Sequence, residues 1–522
     1  MRNRNHLLLR YMFIGITFGV TAIVLYIIYA RQDTQIEVEH HYLEFDYQDS
    51  SLLSKNEVLN LDNTNFTEEL IKSRIEKTNP NVLIAHLNDV GPMINWTCAH
   101  YVNALDIQFN NIYWQVQINT NETYYLYGAY LDKRSLAKGT VIRIVGMVDK
   151  LDPPDVYCQF WFNKEPKPII SKVFHKQYMW YKEWGYHDAA LQPYIWSCRV
   201  PENFKTRVPE SVSLVENPCQ HPRNNLRVIN NLPESGKKEN FAVCVKQLNF
   251  QHRPDIAFRL VEWIELLKIL GANKIIFYEA ATHANISKVL DYYSNTWNVE
   301  VIKTTLPGHA ANIPDFMGTY LQKRLQLQIF QEMIQYNDCF YKNFNKFRYI
   351  ILIDVDEVIL PLSVKTWQEL IFNITRPKAQ LAKNVTHSSF IARNVHFMDD
   401  RKEYKDWFPD IPRYMHMLQH VLRNSEHVQP GSGIKAFHNT EVILSLHNHY
   451  PRACLTYDSY WCENFDFDLK DAHLQHYCVG RGKAECSTTR EGNLTLDTSI
   501  WRFRQELVEV VTDTLKKTGF LN

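Results

Sequence analysis

Between Phe241 and Asp354 the chain alternates uninterrupted apolar runs with helical patterns, and few folds accept that grammar. The runs "FAVCV" (Phe241–Val245), "KIIFYE" (Lys274–Glu279), "VEVI" (Val299–Ile302) and "YIILID" (Tyr349–Asp354) are too short for helices and lack polar alternation, so they read as buried strands. Between them, a helix over roughly Ile256 to Leu270 puts Leu260, Ile264 and Leu267 on one face, and Gly271 stands where it should end. "NISKVLDYYS" predicts a second helix, and Leu321, Leu325, Ile329 and Met333, spaced i, i+4, predict a longer third. Strands of this kind separated by amphipathic helices predict an α/β fold with a parallel sheet covered on both faces. Ligands of such sheets bind beyond the carboxyl ends of the strands.

The fourth strand runs into "FRYIILIDVDEVILP", which delivers Asp354, Asp356 and Glu357 to that end of the sheet; Tyr278 and Glu279 leave the second strand at the same end. Three carboxylates within four residues repel one another, so a positive partner is expected. Closely spaced carboxylates are hard oxygen ligands suited to Mg²⁺ or Mn²⁺, ions commonly shared with a substrate's phosphates. Two chemistries fit. One is transfer of a sugar from a nucleotide sugar, with the metal holding the diphosphate. The other is phosphate hydrolysis of the haloacid dehalogenase type, because "DVDEV" satisfies D-x-D-x-[TV] with Asp354 as covalent nucleophile. That second pattern normally follows the first strand of its domain, whereas here three strands precede it, which favours the transferase.

The rest of the chain sets the context. "YMFIGITFGVTAIVLYIIYA", Tyr11 to Ala30, is twenty residues without a charge, the length a helix needs to cross a bilayer. Arg2, Arg4 and Arg10 precede it and Asp33, Glu37 and Glu39 follow, so the short tail is expected in the cytosol and the body across the membrane, held by an uncleaved signal anchor. Ten cysteines, all beyond Ala30, and sequons at Asn65, Asn95, Asn121, Asn285, Asn373, Asn384 and Asn493 agree with an oxidising, glycosylating compartment. Their pairing cannot be read from spacing, and Cys244, inside a predicted strand, is equally well a plain core residue. With 57 basic against 57 acidic residues the chain lacks the basic footprint of a nucleic-acid binder. The predicted organisation is a cytoplasmic tail (1–10), a transmembrane anchor (11–30), a polar stem (31–90), a β-rich accessory domain (91–235) and the α/β domain (236–522). The accessory domain rests on short aromatic and β-branched runs such as "NIYWQVQI", "TYYLYGAYLD" and "TVIRIVGMV" between turn residues.

"VCVKQLNF...LVEWIELLKILGANKIIFYE", "NDCFYKNFNKFRYIILIDVDEVILP" and "GIKAFHNTEVILSLHNHYP" resemble successive blocks of glycosyltransferase family 92, and "YLYGAYLDKR" resembles that family's upstream β segment. The resemblance implies a Golgi type II protein whose GT-A (Rossmann-like) domain transfers galactose from UDP-galactose, with inversion, onto a glycan acceptor, including the core fucose of N-glycans. It further implies Mn²⁺ or Mg²⁺ at Asp354 and Asp356, with Asp356 the more direct ligand and Asp354 nearer the ribose, and His447 of "LSLHNHY" as a third ligand in preference to His449. Arg423 and Lys435 are then candidates for the diphosphate, and Val245, Lys246, Gln247 and Glu279 for the uridine side. Asn337 and Asp338 match a family block and also fit a structural role at a helix terminus. An inverting transfer needs a general base, and the acids of "FMDDRKE", Asp399, Asp400 and less so Glu403, follow an apolar stretch that fits a strand on the acceptor side. Glu357 reads as a supporting or helix-start residue. A non-catalytic glycan-binding relative would keep the same blocks, and the sequence does not reveal the oligomeric state.

Overall fold

The computed structural model describes residues 68–84, 98–185, 191–382, 386–398, 407–455, 462–478 and 494–522, all within one compact unit, Thr67–Asn522. The predicted anchor and most of the stem lie outside the described residues. Among the described residues no helix is long and apolar enough to cross a membrane.

The aromatic and β-branched runs form nine strands: β1 (Phe109–Asn111), β2 (Trp114–Ile118), β3 (Thr123–Asp132), β4 (Val141–Val148), β5 (Tyr157–Trp161), β6 (Ile169–Tyr178), β7 (Gln192–Arg199), β8 (Ser211–Val215) and β9 (Leu226–Ile229). Their order is β1-β2-β3-β4-β7-β6-β5-β8-β9. All neighbours pair antiparallel except β9, which also pairs in parallel with β3 and so closes the sheet on itself. Closure removes the open edges that a strand-rich unit would otherwise expose. β3 and β4 are buried on both faces, which explains why "TYYLYGAYLD" and "VIRIVGMV" show no polar alternation.

The alternating half begins with β10 (Glu239–Phe250), β11 (Lys274–Thr282), β12 (Val299–Lys303) and β13 (Phe347–Leu352), parallel and ordered β12-β11-β10-β13. The chain first builds outward from β10 on one side and then returns to add β13 on the other, so the switch point lies between β10 and β13. The later strands are β14 (Glu357–Pro361), β15 (Ser389–Ala392), β16 (Asn394–Met398), β17 (Leu422–Asn424), β18 (Lys435–Asn439), β19 (Ile443–Leu446), β20 (Pro451–Cys454), β21 (Asn464–Asp466), β22 (Ala472–Cys478) and β23 (Leu494–Leu496). β18, β15 and β21 extend the parallel sheet, while β14-β22-β16-β17-β23 form a second sheet.

Burial follows the period of two along each parallel strand. Ala242, Cys244, Ile276, Tyr278, Ile350 and Leu352 enter one core, shared with the helix Leu325–Asn343 and the nine-stranded sheet. Phe241, Val243, Val245, Ile275, Phe277, Tyr349 and Ile351 enter the other, under the helices Ile256–Leu270, Ala284–Thr296 and Arg504–Lys517. The sheet is therefore covered on both faces, as predicted, with the β-rich sheet backing the helix on one of them. Gly271 ends its helix as expected, at φ 103°. The predicted long third helix is instead two, Pro314–Lys323 and Leu325–Asn343. Arg324 between them is non-helical, with φ −128° and ψ 62°, and this resets the phase: Leu321 is buried but Leu325 is 63% exposed.

Disulfides link Cys98 to Cys219, Cys158 to Cys198, Cys244 to Cys339 and Cys454 to Cys462. Cys244 is thus a core residue that also ties β10 to the helix packed on it. Buried histidines make this half acid-sensitive, and His438 is one of them. His438, on β18, is fully buried with Nδ1 2.8 Å from Ser389 Oγ, and burial together with Lys435 lowers it to about 3. Below pH 6.5 the unfolded chain takes up a proton that the fold refuses, so stability falls as pH drops from about 6.5 to about 3, by about 1.4 kcal/mol per pH unit. In urea titrations at pH 7 and pH 5, His438→Gln should lose about 2 kcal/mol less than the native chain, and equal losses would remove His438 as the cause.

Candidate active site

β10 and β13 pair with Cys244 opposite Leu352, so the residues two further on, Lys246 and Asp354, emerge side by side at the switch point. Lys246 Nζ lies 3.1 Å from Asp354 Oδ2 and 3.6 Å from Glu332 Oε1, which the helix Leu325–Asn343 carries in from below. A second ammonium comes from β18, antiparallel to β13: Lys435 Nζ lies 3.7 Å from Asp354 Oδ2 and 3.3 Å from Glu357 Oε2. Lys435 also donates to Asn448 Oδ1 at 2.9 Å.

Glu357 starts β14, so the helix start expected there is a strand start. It closes the turn on itself: its Oε2 accepts from the Asp354 amide at 2.9 Å, and its own amide donates to Asp354 O at 3.0 Å. Across β14 and β22, Glu357 pairs with His476, whose Nδ1 is 3.8 Å from Glu357 Oε1 and whose Nε2 is 3.8 Å from Asp356 Oδ2. The positive partner demanded by the sequence is therefore partly internal, in two lysines and a histidine from three strands.

The electrostatics follow from this packing. Burial alone would raise Asp354, but Lys246 and Lys435 overturn it and hold the carboxyl well below its usual range. Burial would lower Lys246, and Asp354 with Glu332 instead push it up. Burial raises Glu357 and Glu332 despite their lysines. Burial opposes the charge on His476, and Asp356 and Glu357 outweigh it, raising the imidazole. Two carboxylate oxygens remain available for a cation. Asp354 Oδ1 is buried without a hydrogen bond of ordinary geometry among the described residues, with the Tyr336 hydroxyl beside the carboxylate, and the Asp356 side chain is 28% exposed. No group of three His, Cys, Asp or Glu among the described residues comes together to hold a metal. A divalent ion would accordingly be held by these two aspartates and completed by substrate oxygens or water, a common arrangement for Mg²⁺.

The other predicted residues are distributed unevenly. Val245 is buried in the core under the sheet. Gln247 is held by Gln335, donating its amide at 2.8 Å and accepting from Nε2 at 2.9 Å. Glu279 does not end its strand as expected, since β11 runs on to Thr282; it is buried and already paired, 2.7 Å from Lys303 Nζ and 2.6 Å from the Thr282 hydroxyl. Arg423 is not brought to Asp354: it lies on β17, 2.6 Å from Asp497. His447 packs its ring against Trp180 and Tyr450, with Nε2 buried and unpartnered among the described residues. Burial, with His449 and Lys435, lowers it to about 3, and burial with Lys435 lowers His449 to about 4. Asn337 and Asp338 are structural, Asn337 bridging Met333 O and both backbone groups of Leu446. Asp338, fully buried, accepts from Tyr130, Tyr278 and Lys342. Asp399, Asp400 and Glu403 lie outside the described residues. Sequence reasoning missed Glu332, Asn448 and His476; His476 is one of three polar residues in "AHLQHYC" and nothing in that pattern singled it out.

The model of glycosyltransferase family 92 matches residues 239–513, just over half of the chain, from the first residue of β10 into the last helix. The chain belongs to glycosyltransferase family 92. The matched span holds every residue of the carboxylate cluster. No curated protein matches it. Among solved structures, it resembles residues 1–349 of S. aureus TarS alone (9% identity, TM-score 0.18), with UDP (9%, 0.19) and with UDP-GlcNAc (10%, 0.17). The alignments cover 30% of this chain and 36%, 36% and 35% of those chains, so it spans about a third of the solved chains it matches.

Proposed function

We propose that this family 92 glycosyltransferase is a GT-A enzyme that moves galactose from UDP-galactose, with inversion and with Mn²⁺ or Mg²⁺, onto a glycan such as the core fucose of an N-glycan. The observation that carries the reading is the pair of available carboxylates, Asp354 Oδ1 and Asp356, at the switch point of a parallel sheet. When bound there, a divalent cation supplies positive charge against the departing diphosphate. The chain's own residues do the rest. Lys246 and Lys435 keep Asp354 ionised, Glu357 fixes the turn through the Asp354 amide, and His476 orients Asp356. The proposed general bases, Asp399 and Asp400, directly follow β16, and β16 pairs with β22 so that His396 stands opposite His476. His447, the third ligand expected from the sequence, keeps an unpartnered Nε2 but does not come together with Asp354 and Asp356 as a metal group among the described residues. Four disulfides support a luminal setting, in keeping with a Golgi type II protein anchored by Tyr11–Ala30. No observation favours hydrolysis at Asp354, whose Oδ2 is engaged by two lysines.

The test is UDP release by the full-length, detergent-solubilised chain with UDP-galactose and defined N-glycans. Release should require the glycan, fall at least about 100-fold on chelation and return with Mn²⁺. Undiminished release in chelator would remove the metal, and a better rate with another UDP-sugar would remove galactose. Absence of release with every sugar nucleotide would leave a glycan-binding relative.

A further inference from the structure

After β6 the β-rich sheet sends a short connector bearing Trp180, Tyr181 and Trp184 to the turn between β19 and β20. There the His447 ring sits between Trp180, at 5.1 Å, and Tyr450, at 4.7 Å and nearly parallel. Trp184 meets this stack edge-on, 5.0 Å from Trp180 and 5.6 Å from His447, and lies 4.5 Å from Tyr181. Arg452 fixes the assembly from beneath, its guanidinium 4.0 Å over Tyr181 and its Nε donating to Trp180 O at 2.9 Å.

These contacts hold the indole of Trp184 in place, yet it remains 49% exposed while Trp180 is buried. A large aromatic side chain kept half in water by rigid neighbours leaves apolar surface that a ligand can cover. The location says which ligand. Asn448, next to His447, accepts from Lys435, and Lys435 reaches Asp354, so the aromatic group is joined to the carboxylate cluster through one side-chain hydrogen bond and one ion pair. A pyranose ring suits a flat indole, because its axial C–H bonds form an apolar face rimmed by hydroxyls, and aromatic side chains pair an apolar body with a polar edge.

We propose that Trp184 is the platform on which a pyranose ring of the acceptor glycan stacks, so that the β-rich domain selects the acceptor while the parallel sheet holds the donor. This rests on the transferase reading. Trp184→Ala should raise the acceptor KM about tenfold or more and leave the KM for the UDP-sugar unchanged; Trp184→Phe should restore most of the loss. An unchanged acceptor KM, or an equal rise in the donor KM, would overturn the platform. Binding of the full-length chain to an array of defined N-glycans, core-fucosylated ones included, without donor, separates the two readings. Glycan binding that Trp184→Ala abolishes, in a native chain that releases no UDP, keeps the platform and sinks the transferase. Binding that survives Trp184→Ala, or a native chain that binds no glycan on the array, sinks the platform.

Discussion

Asp356→Ala should cut glycan-dependent UDP release by about 10²–10³-fold or more while leaving the urea unfolding midpoint where it is. The asymmetry comes from what each aspartate touches. Asp356 is partly exposed and, among the described residues, its carboxylate meets His476, at 3.8 Å; that imidazole keeps Glu357 beside it and can release its proton, so removing Asp356 strands no fixed buried charge. Asp354 faces two ammonium groups, and Asp354→Ala should therefore lose activity and also about 1–2 kcal/mol of stability, as Lys246 and Lys435 lose a shared partner. Near-native transfer by Asp356→Ala would remove that carboxylate from the chemistry altogether. A large stability loss in the same variant would make its role structural.

Asp132→Asn should be the most damaging substitution for folding, costing about 3–5 kcal/mol in urea titration. Asp132 is fully buried and accepts from Arg134 at 2.8 and 2.9 Å and from Arg143 Nε at 3.1 Å. Without the carboxylate two buried guanidinium groups keep their charge and lose its counterpart. Arg134 also donates to Thr440 O and Ile443 O, both at 2.6 Å, so the network fastens β3 to the β18–β19 turn and through it to Lys435. A loss below about 1 kcal/mol would show that water reaches the arginines, as for an exposed pair.

That network gives two of the family blocks a physical reason. "YLYGAYLDKR" and "NDCFYKN" touch: Tyr130 donates to Asp338 and stacks on Tyr341 at 5.4 Å, and Arg134 lies 4.7 Å over the Phe344 ring. Residues that resembled a family signature are here the seam between the closed β sheet and the helix behind the parallel sheet. Nothing in their spacing announced this, because the partners stand about 200 residues apart in the chain.

What the sequence determined by itself was everything governed by local period and strand polarity. Apolar runs too short for helices, alternating with amphipathic segments, dictated a parallel sheet, and a parallel sheet places whatever follows its strands at one end. Asp354 and Asp356 were legible for that reason, as were the helix Ile256–Leu270 and its glycine stop. Tertiary structure alone decided what faces those aspartates. Lys246, Lys435 and His476 come from three strands whose register brings their charges within 4 Å of the turn, and Glu332 reaches Lys246 from a helix. Electrostatics at that range depends on distance and burial rather than on order along the chain. The same physics separates Arg423, which sequence placed at the diphosphate and the fold commits to Asp497, from Lys435, which both placed at the site.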